Sequence, residues 1–180
     1  MYLTDEERQA LFAVLEGPRD RAMFTLGFWR GLRAGEVGLL QLSHWHPKSG
    51  RLYVRRLKGS ISQEYLLTAD ELRALKAWLR RRGKVPGPLF GGYRGRGLER
   101  HAVTNLMRRY ATIAGLPEDK RHWHCLKHTC GTFLFDHDEP VQLVQDHLGH
   151  ADIRSTMKYA KVTQRKRDEM AERLSELRVG

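Results

Sequence analysis

A single change of hydrophobic period governs what this chain can build. From Arg51 the segments RLYVRRL and SQEYLL are short and rich in β-branched and aromatic residues, with KGSI between them. The flanking sequence instead repeats its apolar residues at helical spacing. The pattern predicts a β-hairpin with Lys58 at its tip, set inside a helical chain. The expected fold class is α+β, mainly α-helical with one small antiparallel sheet.

Helix boundaries are readable from capping signals. Thr4 with Glu7 and Thr68 with Glu71 are capping boxes. The first opens a helix with Leu11, Phe12 and Leu15 on one face. The second opens a helix with Leu72, Leu75, Trp78 and Leu79, which runs into Arg80-Arg81-Arg82 and stops at Gly83. Further helices are predicted at about 19–30, from near Ala34, and at about 99–114, 125–136, 140–148 and 152–159. An amphipathic tail is expected at about 164–178, with Met170, Leu174 and Leu177 at helical spacing. Residues 83–98 hold six glycines with Pro86 and Pro88, and read as a flexible loop.

Composition narrows the function. With 41% hydrophobic residues the chain is no disordered polycation. No apolar run approaches the roughly 18 residues of a membrane span, and MYLTDEERQA lacks the hydrophobic segment of a signal peptide. Cys125 and Cys130 make no disulfide framework, which suits a reducing cytoplasm. The chain carries 32 Lys and Arg against 21 Asp and Glu, a net charge of +11. Residues 51–109 hold 15 of the basic residues and 4 of the acidic ones, so the whole excess sits in the middle third. A focused field of that sign attracts a polyanion, most commonly nucleic acid; the plainer alternative is a solvated basic face.

Several polar clusters could carry chemistry. His122, His124, Cys125, His128 and Cys130 fall within nine residues and invite a zinc reading. The spacing argues against it, because no matching pair recurs elsewhere and Lys127 would set a cation beside the metal. No metal and no cofactor is expected. Arg33 and Glu36 stand three apart at a loop-to-helix turn, which is also the spacing of a simple surface ion pair. His150 follows Gly149 at a helix end, and Tyr159 comes nine residues later.

Taken in order, GLRAGEV around Arg33, LYVRRLKGS around Lys58, HCLKHTCGTFL from His124 and HLGHADIRSTMKYAKV from His147 to Val162 resemble the tyrosine recombinase (phage integrase) catalytic domain. The likeness runs from about Thr4 to Val162. It is closer still to the short recombinases that invert fimbrial promoters, which consist of little more than that domain. The resemblance therefore implies one catalytic domain over 1–180, with a three-stranded antiparallel sheet and without the N-terminal DNA-clamping domain of longer members; a piece cut from a longer recombinase is the competing explanation.

The resemblance also implies a reaction: site-specific cleavage and rejoining of DNA through a 3′-phosphotyrosyl link, without metal or ATP. Tyr159 matches the nucleophile, Arg33 a phosphate-gripping arginine supported by Glu36, and Lys58 the lysine that protonates the departing 5′-oxygen. His124 matches an acid/base, His150 a hydrogen-bond donor to phosphate, and His128 a structural histidine. Lys127 falls where the family has its second arginine. Lysine keeps the charge there and loses the planar fork that grips phosphate oxygens in pairs. That departure leaves open a second reading, an integrase-like protein that binds DNA and cuts poorly or not at all. A type IB topoisomerase shares the tyrosine chemistry but matches these motifs less closely.

DNA contacts are expected from Arg51, Arg55 and Arg56 by the hairpin, Arg94, Arg96 and Arg100 in and after the glycine-rich segment, and Arg108 and Arg109 on the next helix. The Arg80-Arg81-Arg82 run is as easily a neutralised helix C-terminus. The partners implied are double-stranded DNA and further copies of the chain, a monomer when free and a tetramer on DNA. Whether the tail docks on its own core or on a neighbour is left open by its apolar stripe.

Overall fold

The computed structural model describes residues 1–57, 59–159 and 164–176. Lys58, the expected hairpin lysine, and Leu177 of the tail stripe lie outside the described residues. In chain order the elements are α1 (Asp5–Ala13), α2 (Gly17–Trp29), α3 (Ala34–Val37), β1 (Trp45–His46), β2 (Arg51–Val54), β3 (Gln63–Leu66), α4 (Ala69–Arg82), α5 (Arg100–Ile113), α6 (His124–Asp136), α7 (Val141–Leu148), α8 (Arg154–Met157) and α9 (Gln164–Glu176).

Both capping boxes form. The Thr4 hydroxyl accepts from the Glu7 N–H at 3.2 Å while the Glu7 carboxylate accepts from the Thr4 N–H at 2.8 Å. Thr68 and Glu71 repeat the arrangement at 3.3 and 2.8 Å. Glu71 has a second task. It receives the Arg30 guanidinium through paired bonds of 2.7 and 2.6 Å, which fastens the end of α2 to the start of α4. Arg30 is 4% exposed and Glu71 0%, so this is a buried, fork-matched ion pair.

The sheet runs β1-β2-β3, antiparallel throughout, with Leu52 opposite Tyr65 and Tyr53 opposite Glu64. Leu52 and Val54 are buried while Arg51 and Tyr53 face out. Helix α2 is buried along most of its length through Met23, Phe24, Leu26 and Phe28, and packs on α4 and α6. Trp123 closes that core. Its indole meets Phe24 edge-on at 5.0 Å and donates to the Leu32 carbonyl at 2.8 Å. This seats the first turn of α6, and so His124, against the loop that carries Arg33.

Two expectations change. The glycine-rich segment is not a free loop: Leu89 and Phe90 are fully buried, and the Leu89 N–H donates to the Leu40 carbonyl at 2.7 Å. Arg82 clamps its start, donating to the carbonyls of Gly83, Val85 and Pro88. That gives one member of the arginine run a structural use. The helix expected at 152–159 shortens to α8, after which Lys158 and Tyr159 form a turn.

Candidate active site

Arg33 is the residue before α3, and Glu36 sits one turn in. The Glu36 carboxylate accepts from the Arg33 backbone N–H at 2.8 Å and from its Nη1 at 3.0 Å. Glu36 is completely buried; the Arg33 side chain remains 35% exposed. A second arginine meets the same carboxylate: Arg56 Nη1 lies 3.1 Å from Glu36 Oε2. Arg56 also donates to the carbonyls of Arg30, Gly31 and His147 and to the Tyr65 hydroxyl.

Arg56 therefore does not face DNA, contrary to the sequence expectation. It is 5% exposed and all its recorded partners lie inside the protein. It continues the inward parity of Leu52 and Val54, a signal present in the strand's own alternation. Its work is to join the hairpin, the turn after α2 and the end of α7.

Lys127 is also buried, at 1% exposure, with its ammonium donating to the Leu148 carbonyl at 2.8 Å. Burial first, then Arg56 and Arg33, pull its pKa down to about 7, against a smaller upward pull from Glu36. Glu36 stays ionised more readily than an ordinary glutamate. Burial works against it, but the Arg33 N–H, Arg56 and Lys127 prevail. Two guanidinium groups thus share one carboxylate, with the Lys127 amine near enough to act on it, leaving the pocket floor short of negative charge.

His124, His128 and His150 are all pushed toward the neutral form. Burial and the neighbouring Lys127 and Arg33 lower His124, and push His150 down to about 3. His128 falls to about 4, mainly through burial and His124. The His150 Nδ1 lies 2.9 Å from the Thr156 hydroxyl. Buried thiols at Cys125 and Cys130 are pushed up to about 11 and about 12, so both stay protonated.

Tyr159 is half-buried, its ring 5.5 Å from His128 and stacked on His150 at 6.4 Å. It lies flat on α6 where Gly131 has no side chain: a Cβ there would come within 2.8 Å of the ring. Burial and Cys130 raise its hydroxyl to about 12, with Arg33 pulling the other way. Arg33, Leu57, Arg100 and His124 line one cavity of about 550 Å³. Tyr159 and His128 line a different cavity, of about 710 Å³.

Of the remaining basic residues, Arg51, Arg55, Arg94, Arg96, Arg100 and Arg108 are exposed. Arg109 is exposed too, but its guanidinium is engaged by Glu16 at 2.9 Å and lies over the Tyr110 ring. Sequence reasoning missed two members of the site region, Arg30 and Ser60. The Ser60 hydroxyl accepts from Arg33 Nη1, and Ser60 forms a β-bridge with His150.

The phage integrase family pattern matches residues 1–166. FimE, a type 1 fimbriae regulatory protein of Escherichia coli K12, is 32% identical over 167 residues, covering 88% of this chain and 84% of FimE. FimB of the same strain is 33% identical over 166 residues, covering 88% and 82%. The tyrosine recombinase XerD of Xanthomonas campestris pv. campestris is 32% identical over 179 residues, covering 89% of this chain and 54% of XerD. Among solved structures, XerA recombinase superposes with a TM-score of 0.81 at 24% identity, over 96% of this chain and 63% of XerA. XerH bound to its difH substrate gives a TM-score of 0.78 at 24% identity, over 94% of this chain and 53% of XerH. This chain thus spans less than two thirds of either Xer protein, and at such identities the superpositions establish the fold alone. The family pattern over most of the chain, with fimbrial relatives alike across most of both sequences, establishes the rest: the chain belongs to the phage integrase family of tyrosine recombinases.

Proposed function

We propose that this protein is a site-specific DNA recombinase that cuts and rejoins strands through a 3′-phosphotyrosyl intermediate on Tyr159. The observation that carries the reading is the cation-rich floor beside the cavity of Arg33 and His124, where Arg33 and Arg56 share Glu36 and Lys127 lies near. Such a floor suits a group that gains negative charge as it reacts, and a phosphodiester becoming a phosphorane does so.

Within that reading Arg33 grips a non-bridging oxygen and Glu36 aims it. Lys58 protonates the departing 5′-oxygen. His124, neutral at pH 7, accepts the phenolic proton of Tyr159. With His150 Nδ1 accepting from Thr156, its Nε2 bears the proton and donates to the phosphate. Lys127 adds charge from beneath, and His128 packs between His124 and Tyr159. Tyr159 lines the neighbouring cavity, so attack requires the turn that carries it to shift. Its high hydroxyl pKa keeps it unreactive until then.

Double-stranded DNA lies along Arg51, Arg55, Arg94, Arg96, Arg100 and Arg108, held by phosphate contacts that weaken steeply with salt. In α9, Met170 and Leu174 are 51% and 56% exposed, which supports docking of this helix on a neighbouring copy in a tetramer on DNA. The free protein is a monomer. Among the described residues no helix is long and apolar enough to cross a membrane; the setting proposed is the cytoplasm.

The test is covalent capture. Wild-type protein and Tyr159→Phe are incubated with a pool of nicked duplexes of randomised sequence, and SDS-resistant adducts are recovered and sequenced. The expected result is an adduct on a defined site with wild type and none with Tyr159→Phe. Binding without any adduct sinks the enzyme reading. It favours the DNA-binding alternative, whose supporting observation is the buried lysine at position 127.

A further inference from the structure

Helix α4 borders two grooves, and its cations meet different company in each. The groove of about 470 Å³ that α4 forms with α1 and α2 is lined by Arg8 and Arg73. Arg8 is paired with Asp5 at 2.9 Å and Arg73 with Asp70 at 3.0 Å, so each is neutralised from its own helix. At the other end of α4 a groove of about 600 Å³ opens between the helix and the segment that enters β1. Lys76, Arg80 and Lys84 line it, four residues apart, and no carboxylate does. All three are exposed, and none is ion-paired with a described residue.

A neutralised helix end does not explain this stripe. Arg82 already serves that end, donating to the carbonyls of Gly83, Val85 and Pro88. The groove floor is apolar. Leu42, Trp45 and Leu79 are half-buried, so each packs on the core and keeps an open face. The Trp45 indole N–H donates to no described residue, which leaves a donor for an incoming acceptor. The end at Gly83 is open, since a Cβ there would meet nothing within 4 Å.

An apolar floor under an uncompensated cationic rim complements a segment that carries apolar anchors and carboxylates together. A DNA backbone would satisfy the rim and leave the floor unfilled. No residue of this groove lines the cavity of Arg33 or that of Tyr159, so it is separate from the candidate active site.

We propose that this groove docks an acidic segment of a partner protein. Large apolar side chains of that segment rest on Leu42, Trp45 and Leu79, and its Asp or Glu side chains face Lys76, Arg80 and Lys84. The inference does not depend on the strand-cleavage reading.

The test selects short random peptides displayed on phage against the full chain, then titrates the recovered peptides in synthetic form. Enriched peptides should carry Asp and Glu around Leu, Phe or Trp. Their binding should alter tryptophan fluorescence in wild type, and Trp45→Phe should lose most of that signal. The triple variant Lys76→Glu, Arg80→Glu, Lys84→Glu should bind about tenfold more weakly or worse, because like charges then face each other across the interface. High salt should weaken wild-type binding in the same direction. Arg73→Glu, at the groove that neutralises itself, should bind as wild type does. These substitutions fall on exposed side chains, so melting temperatures should stay close to wild type.

The proposal is overturned if no peptide is enriched, if the enriched ones lack acidic residues, or if the triple variant binds them undiminished. A large loss of duplex affinity in the triple variant would give the groove to DNA instead. Self-association that the triple variant abolishes would give it to a second copy of the chain. Covalent capture of DNA should proceed equally in wild type and the triple variant, so failure of the docking proposal leaves the recombinase reading standing.

Discussion

Glu36 and Glu71 occupy the same position in their helices and end in different electrostatic company. Each lies three residues after a cap, accepts from the cap backbone N–H at 2.8 Å and is 0% exposed. Glu71 meets one guanidinium, fork to fork, and the charges of the pair cancel. Glu36 is divided between Arg33 and Arg56, with Lys127 adding a third positive charge. The same local grammar thus builds a closed weld between helices in one place. In the other it builds a floor that still calls for an anion. Buried excess charge costs stability, and such deficits concentrate at working sites.

The contrast is sharpest in what each carboxylate does for folding. Glu71→Ala strands Arg30 in the interior and should cost about 3–5 kcal/mol in urea denaturation. A loss below about 1 kcal/mol would erase the distinction, since it would make the pair no firmer than a surface bridge. Glu36→Gln keeps the shape but sets an NH2 donor against groups that donate to Glu36, and removes the negative charge that Arg33 and Arg56 share; it should cost about 1–3 kcal/mol at low salt. Here sulfate should restore part of the loss by taking up the unmet charge. Glu71→Gln should gain no such benefit. An equal response of the two variants to sulfate breaks the comparison.

The smallest effect is a pH slope. The unfolded chain holds the Lys127 proton to about 10.5, whereas the folded protein releases it near 7. The unfolded state therefore binds more protons between these values. The folded state gains stability as pH rises through that window, by at most about 1.4 kcal/mol per pH unit. The check is the difference in unfolding free energy between wild type and Lys127→Met from pH 7 to 9, which cancels the other groups that titrate there. The wild-type excess should climb with pH in the free protein and flatten when sulfate occupies the floor and holds the proton. A flat difference without sulfate would mean that the ammonium is not short of negative charge.

What the sequence disclosed follows how local each signal is. The pairs Thr4–Glu7 and Thr68–Glu71 are legible because a cap and its partner are three residues apart and need no tertiary context. The hairpin is legible from its period. The partnership of Arg30 with Glu71 spans 41 residues and that of Arg33 with Ser60 spans 27, so packing creates them and no spacing announces them. Arg56 falls between these cases. Its inward parity was in the strand pattern, but a charge-weighted reading assigned it to the surface with Arg55. The glycine-rich segment misled in the opposite sense: glycine and proline mark the absence of regular structure, and Leu89 and Phe90 anchor it all the same.

Gly131 leaves a blank in the middle of α6, and the Tyr159 ring is laid into it. The blank works as a template: it accepts a flat ring and rejects even one added carbon. The starting line of the proposed nucleophile is thus drawn by an atom that is not there. A chemist moving this tyrosine to another scaffold would have to transplant the missing methyl group along with it.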